Sequence, residues 1–228
     1  MKMIVIPVYG SYWFVERLLK SIERHGDNGY CICLVNTHTQ DIMTIKYLEV
    51  VKDKFNLDIV VETADEGFGY EAGAAITAIK RYPEVDRFFM IHDSVEATSE
   101  HWITQFEEKM HNGVVTWVAF QPCLFAMCQA HIDYIHQIVS TADVPNSGFF
   151  GGMFMAEGKI LREMEAKGYF NVPAKLKIHS EAWERIWSIL FHVEGHAFEH
   201  IHWGFNPSFM AGYPHMIKTF GGRNGIVS

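Results

Sequence analysis

Four apolar runs alternate with three amphipathic stretches in the first hundred residues, and this alternation limits the fold more than any other feature of the chain. Met3 to Val8 is a β-branched run ended by Pro7 and the turn-former Gly10, which reads as a central strand. Ser11 stands where a helix cap belongs. Val15, Leu18, Leu19 and Ile22 then recur at helical spacing until Gly26 and Gly29 stop the pattern. Tyr30 to Val35 is a second strand, followed by the polar run Asn36 to Asp41. Tyr47, Leu48, Val51 and Phe55 mark another helix, and Leu57 to Val61 a third strand. A glycine-rich turn, Asp65 to Gly73, opens a helix with Ala72, Ala75, Ile76 and Ile79 on one face. The run Phe88 to Ile91 then breaks into His92, Asp93 and Ser94. Strands separated by helices predict an α/β fold with a mainly parallel sheet and right-handed crossovers.

The second half is less regular. Trp102, Phe106 and Met110 suggest a helix, Val114 to Phe120 a strand, and Ile132, Ile135 and Val139 another helix. Ser147 to Gly152 reads as a small-residue loop before the apolar run Met153 to Ala156, and Ile160, Leu161 and Met164 form a stripe closed by Gly168. Ser180 is expected to cap a helix carrying Trp183, Ile186, Trp187, Leu190 and Phe191, with Gly195 as its stop. The tail after it is rich in Gly and Pro. With 228 residues and no visible linker, one domain is expected over 1–228.

Composition excludes some classes of function. A formal charge of −8 argues against a nucleic-acid surface, which is usually basic. No apolar run reaches the ~20 residues that cross a bilayer, and the N-terminus enters a strand pattern without a signal-peptide layout, so a cytoplasmic protein is expected. Cys31, Cys33, Cys123 and Cys128 lie in apolar segments without disulfide or zinc spacing and read as buried free thiols. Histidine is abundant, and His192, His196 and His200 recur every four residues. Gly195 interrupts them, so a solvated polar face is the simpler reading than zinc.

The edge at His92-Asp93-Ser94 carries the functional expectation, because ligands of open α/β sheets bind beyond the carboxyl ends of the strands. Gly67-Phe68-Gly69 is neither a dinucleotide fingerprint nor a P-loop. Taken together, Pro7-Val8-Tyr9 after strand one, Asn36 to Asp41 after strand two, Asp65 with Gly67-Phe68-Gly69 after strand three and the acidic edge after strand four resemble the nucleotide-binding half of the GT-A glycosyltransferases, specifically the inverting family 2 group. The resemblance covers about the first 100 residues. His92-Asp93-Ser94 stands where that family carries an Asp-x-Asp type triplet, so one carboxylate remains.

This resemblance implies a transferase that moves a sugar from a nucleoside-diphosphate donor, expected to be UDP-linked, to an acceptor hydroxyl with inversion. Residues 1–100 would form the donor half and 101–228 the acceptor half. It implies donor contacts at Pro7, Val8, Tyr9, Asn36, Thr37, Asp65, Gly67, Gly69, His92, Asp93 and Arg223. Gly151, Gly152 and Glu184 would serve the acceptor, and Glu181 would be the general base. A divalent cation, Mn²⁺ or Mg²⁺, is expected at Asp93 with His202, because the leaving diphosphate develops charge that must be met. For Asp93 a turn cap, and for Glu181 a favourable charge near a helix N-terminus, remain the plainer readings. The acceptor class, whether saccharide, lipid, protein or modified nucleobase, is not fixed by these residues. A non-catalytic nucleotide-sugar or glycan binding module and a sugar-nucleotidyltransferase are the competing readings, the latter lacking Lys or Arg in the loop Ser11 to Trp13.

Overall fold

A computed structural model describes residues 1–120, 128–140, 148–203 and 215–218. The first half follows the expected order: β1 (Lys2–Val8), α1 (Tyr12–His25), β2 (Tyr30–Asn36), α2 (Ile42–Val50), β3 (Ile59–Thr63), α3 (Tyr70–Arg81) and β4 (Arg87–Met90). β5 (Val95–Ala97), α4 (Thr104–Glu107), β6 (Val114–Phe120), α5 (Gln129–Ile138), β7 (Gly148–Phe149) and β8 (Phe154–Glu157) come next. α6 (Gly158–Ala166), α7 (Lys177–Val193), β9 (Glu199–Trp203) and β10 (Met216–Lys218) complete the described chain.

The fold is α/β, with a mainly parallel central sheet flanked by helices. β1 lies at its centre, paired in parallel with β2 and β4, and β3 continues the parallel run outside β2. β8 pairs antiparallel with both β4 and β6, which carries the sheet into the second half. β6 pairs with β8 over Val114 to Thr116 and with β7 over Ala119 and Phe120, while β9 runs parallel to it across both stretches. A strand has two edges, so β7 and β8 share one and β9 takes the other. β5 and β10 form a separate antiparallel pair.

Strand side chains alternate between faces, and here both faces are covered. Met3, Val5, Cys31, Cys33, Val35, Phe88 and Met90 join the core under α3, α6 and α7. Ile4, Ile6, Val8, Ile32, Leu34 and Phe89 join the other, under α1 and α2. This explains why β1, β2 and β4 read as continuous apolar runs. Cys31 and Cys33 share a face as expected and are buried free thiols; burial and the Asp58 carboxylate push Cys31 up to about 12, and burial also raises Cys33. Cys128 is free but exposed, and Cys123 lies outside the described residues.

Several boundaries differ from the sequence reading. The Trp102 to Met110 pattern yields only the short α4, but Trp102 and Phe106 are fully buried. Their rings pack on Phe89 at centroid distances of 5.9 and 4.6 Å. Asp41, read as part of a polar run, caps α2 by accepting from the amides of Met43 and Thr44 at 3.3 and 3.1 Å. Ser180 is not a cap: α7 begins at Lys177, a turn earlier, and Ser180 is buried inside it. No helix among the described residues is long and apolar enough to cross a membrane.

Phe89→Ala removes the ring that joins β4 to the α4 segment. It is expected to cost roughly 3–5 kcal/mol in urea unfolding, the range for truncating a fully buried aromatic. A cost below about 1 kcal/mol would contradict this packing.

Candidate active site at the carboxyl edge of the sheet

The strand order β3-β2-β1-β4 means that the chain crosses back over β1 to place β4, which opens a crevice beyond the carboxyl ends of these strands. The loops after β1, β2 and β3 line an open cleft of about 420 Å³, with Tyr9, Thr37, His38, Gly69, Tyr70 and, from the second half, Lys175 on its walls. Its floor is fixed by backbone contacts. The Thr37 amide and hydroxyl both donate to the Val8 carbonyl, at 2.9 and 3.2 Å, and the Asn36 side chain accepts from the Thr39 amide at 3.0 Å. His38 adopts a positive φ of 65°, and its Nε2, 3.2 Å from the Asp65 carbonyl, must carry the proton because a carbonyl only accepts.

The glycine-rich turn is docked onto the second half. Gly67 has φ 91°, a conformation L side chains rarely adopt, and the Gly69 amide donates to the Ala174 carbonyl at 3.1 Å. Tyr70 opens α3 with φ 56°, uncommon for a residue other than glycine. The Tyr70 ring lies 4.9 Å from that of Tyr9, and the Lys177 ammonium sits 5.8 Å from the Tyr70 centroid. Two tyrosine rings and the Lys175 ammonium therefore border one cleft, with Lys177 beside the Tyr70 ring.

Beside it lies a polar cluster in which Glu71 and Ser180, not expected as site residues, meet the expected His92, Gly151 and Glu184. The Glu71 side chain, in the first turn of α3, is only 15% exposed. It accepts a hydrogen bond from the Ser180 hydroxyl at 2.5 Å, and His92 Nε2 lies 3.9 Å from its other oxygen. Burial opposes the charged form, but His92, Lys177 and the Ser180 hydroxyl outweigh it and hold the carboxyl down at about 2. His92 Nε2 donates to the Gly151 carbonyl at 2.5 Å, and the Gly151 amide donates to Glu184 at 3.2 Å.

The residues expected from the sequence are distributed around this core. Tyr9, Thr37, Gly67 and Gly69 line the cleft. Pro7 lies deeper, beside Glu71 and His92 in a cavity of about 10 Å³, and Val8 is fully buried. Asn36 organises its own loop, and Asp65 pairs with Arg81 at 2.7 Å instead of lining the cleft. Asp93 lies in the turn after β4, partly buried. Gly151 and Gly152 form the turn between β7 and β8, both with positive φ. Glu181 leaves 45% of its side chain exposed on α7, with His131 Nε2 at 3.4 Å. His192 lies in the last turn of α7 and His200 in β9, so no single helix face carries the histidine series. His202 falls in β9, but its side chain, like Arg223, lies outside the described residues.

Among the described residues no group of three or more His, Cys, Asp or Glu side chains is placed to hold a metal ion. His92 Nε2 is committed to a carbonyl, which leaves Asp93 as the single described carboxylate of the expected cation site.

Glu71, Lys175 and Lys177 were not identified from the sequence. The one signal for Glu71 was its position between Gly69 and Gly73, where a charged residue follows a tight turn into a helix.

No protein-family model matches the chain, and no curated protein matches it. Solved structures do. TarS 1-349 from S. aureus aligns with TM-score 0.50 and 12% identity over 82% of this chain. The 4-diphosphocytidyl-2C-methyl-D-erythritol synthase from Anaerococcus prevotii aligns with TM-score 0.53 and 13% identity over 89% of it. The fold is GT-A-like. The chain spans 55% of the TarS segment and 86% of the synthase, and at these identities the likeness is one of architecture.

Because Glu71 is held below the ordinary glutamate value of 4.5, its contribution to stability is complete above that pH and is lost as pH falls toward about 2. Acid titration of the unfolding free energy should show a steeper loss between pH 4.5 and 2 in the wild type than in Glu71→Gln. Parallel curves would refute the assignment.

Proposed function

We propose that this chain is a glycosyltransferase that moves a sugar from a nucleoside-diphosphate donor, UDP-linked, to an acceptor hydroxyl with inversion. The observation that carries the reading is the cleft itself: the loops at the carboxyl ends of three parallel strands, a tyrosine pair and Lys175 border it. In this reading residues 1–100 bind the donor and 101–228 the acceptor. Tyr9, Thr37, Gly67 and Gly69 border the nucleotide, while Pro7, Val8 and Asn36 hold the walls. His92 and Asp93 face the diphosphate, and Asp65 acts through the turn it starts.

Glu181 takes the proton of the acceptor hydroxyl as its oxygen attacks the anomeric carbon and the bond to the diphosphate breaks. Its exposed carboxylate, one residue from the buried Ser180, and its contact with His131 support that role. Glu184 is the reserve, although it already accepts the Gly151 amide. Lys175, which lines the cleft, and Lys177, 5.8 Å from the Tyr70 ring, are assigned to the charge that develops on the leaving diphosphate. Asp93, with His202, would hold a divalent cation together with water and the donor phosphates, and that cation would supply further positive charge to the leaving diphosphate. The buried free thiols Cys31 and Cys33 suit the cytoplasm, the proposed compartment.

A nucleotidyltransferase is the second reading. The loop after β1 lacks a cation, but Lys175 supplies one from the other half of the chain. The two separate by product: the first releases nucleoside diphosphate from a nucleotide sugar, the second pyrophosphate from a nucleoside triphosphate and a sugar phosphate.

With a panel of nucleotide sugars and acceptors, wild type should release UDP. Glu181→Gln should lower kcat by about 100-fold or more with an unchanged melting temperature, the range for loss of a general base. Wild-type turnover in that variant would remove Glu181 as the base, and pyrophosphate as the product would replace the first reading with the second.

A further inference from the structure

Glu71 belongs to no step of the proposed reaction, yet it lies where both halves of the site meet. We propose that Glu71 is a positioning residue: with Ser180 and His92 it locks the donor-side turn, the Gly151 loop and the start of α7 into one unit. The inference rests on the transferase reading for its effect on turnover, but not for its structural content.

The contacts form a chain of three hydrogen bonds with His92 facing Glu71 across 3.9 Å. Glu71 follows Gly69 and Tyr70, which line the cleft, and one of its oxygens accepts from Ser180 on α7. Its other oxygen faces His92 Nε2, which donates to the Gly151 carbonyl. The Gly151 amide returns to α7 through Glu184, one turn beyond Ser180. A Cβ added at Gly151 would lie 2.6 Å from His92 Nε2, so the loop rests directly on that ring, and its φ of 61° suits glycine. The 3.9 Å separation of His92 and Glu71 is too long for a direct hydrogen bond, but the cavity of about 10 Å³ beside them is lined by Glu71, His92 and Gly151. That is close to the volume one water needs, and these groups give it polar partners.

A purely structural carboxylate would hold the fold together without setting the geometry of the reaction. A positioning carboxylate sets the loop and Glu181, which follows Ser180, relative to the bound donor. Its loss lowers kcat while leaving the affinity for the donor, held by the cleft above, nearly unchanged.

The test compares wild type, Glu71→Gln, Glu71→Asp and Ser180→Ala by hydrogen–deuterium exchange and by steady-state kinetics below their melting temperatures. Amide exchange over 148–153 is expected to rise at least tenfold in Glu71→Gln and Ser180→Ala, with exchange in β1 and β2 unchanged. kcat should fall at least tenfold, the donor KM should stay within about twofold, and Glu71→Asp should recover part of the loss. Unchanged exchange over 148–153 in both variants overturns the proposal, as does wild-type kcat in variants with a lowered melting temperature. If Glu71→Gln fails to fold, Ser180→Ala, which keeps the carboxylate, gives the same readouts. Absence of turnover and of UDP-induced thermal protection in wild type would instead refute the transferase reading, and the exchange result would still decide the chain of contacts.

Discussion

The site depends on β1 being covered on both edges and both faces. Its parallel pairing with β2 and β4 sends three strand ends to the same edge, and the β2–β3 pair adds a fourth. Its side chains enter two separate cores in alternation, Met3 and Val5 on one side and Ile4, Ile6 and Val8 on the other. A slip of one residue would exchange these sets, so the register is fixed by packing over the whole strand. The loops that carry Tyr9, Thr37, Gly69 and His92 gather because the strands beneath them cannot shift.

A rigid edge alone makes a groove with one wall. The second wall comes from Lys175, just before α7, while the turn at Gly151, ahead of the antiparallel strand β8, closes the small cavity beside Glu71 and His92. Behind that wall Trp183, Trp187 and Phe170 pack with ring centroids 4.8 to 6.0 Å apart, and the contact across to the first half is polar where Glu71 meets Ser180. A charge in such a setting is tolerated only with partners, since desolvation disfavours it. Glu71 has a hydroxyl donor and nearby cationic groups, and it stays ionised for that reason.

Much of the fold was legible in the residues, and less of the site. The runs at Met3, Tyr30 and Val114 are strands within one or two residues of their apolar limits, because a strand covered on both faces must be apolar throughout. The helix expected from Trp102 to Met110 shrank to one turn, because two buried aromatic rings satisfy its apolar spacing without a continued helix. Of the residues expected after the strands, Tyr9, Thr37 and Gly69 line the cleft. The Asp65 carboxylate instead meets Arg81, sixteen residues away in α3. Ser180 looked like a cap because it precedes an apolar stripe, and only the packing of α7 on α3 reveals its hydroxyl's partner.

By itself the sequence determined the order of strands and helices as far as β4 and the burial of Cys31 and Cys33. These follow from local periodicity and from parallel pairing, which need no knowledge of distant contacts. Tertiary structure alone decided that the Glu71 carboxylate meets the Ser180 hydroxyl and faces His92. Glu71 and Ser180 are 109 residues apart, and nothing in the chemistry of either names the other. A buried polar group takes whatever partner the packed surfaces bring within reach, so its role is settled when α7 closes over α3.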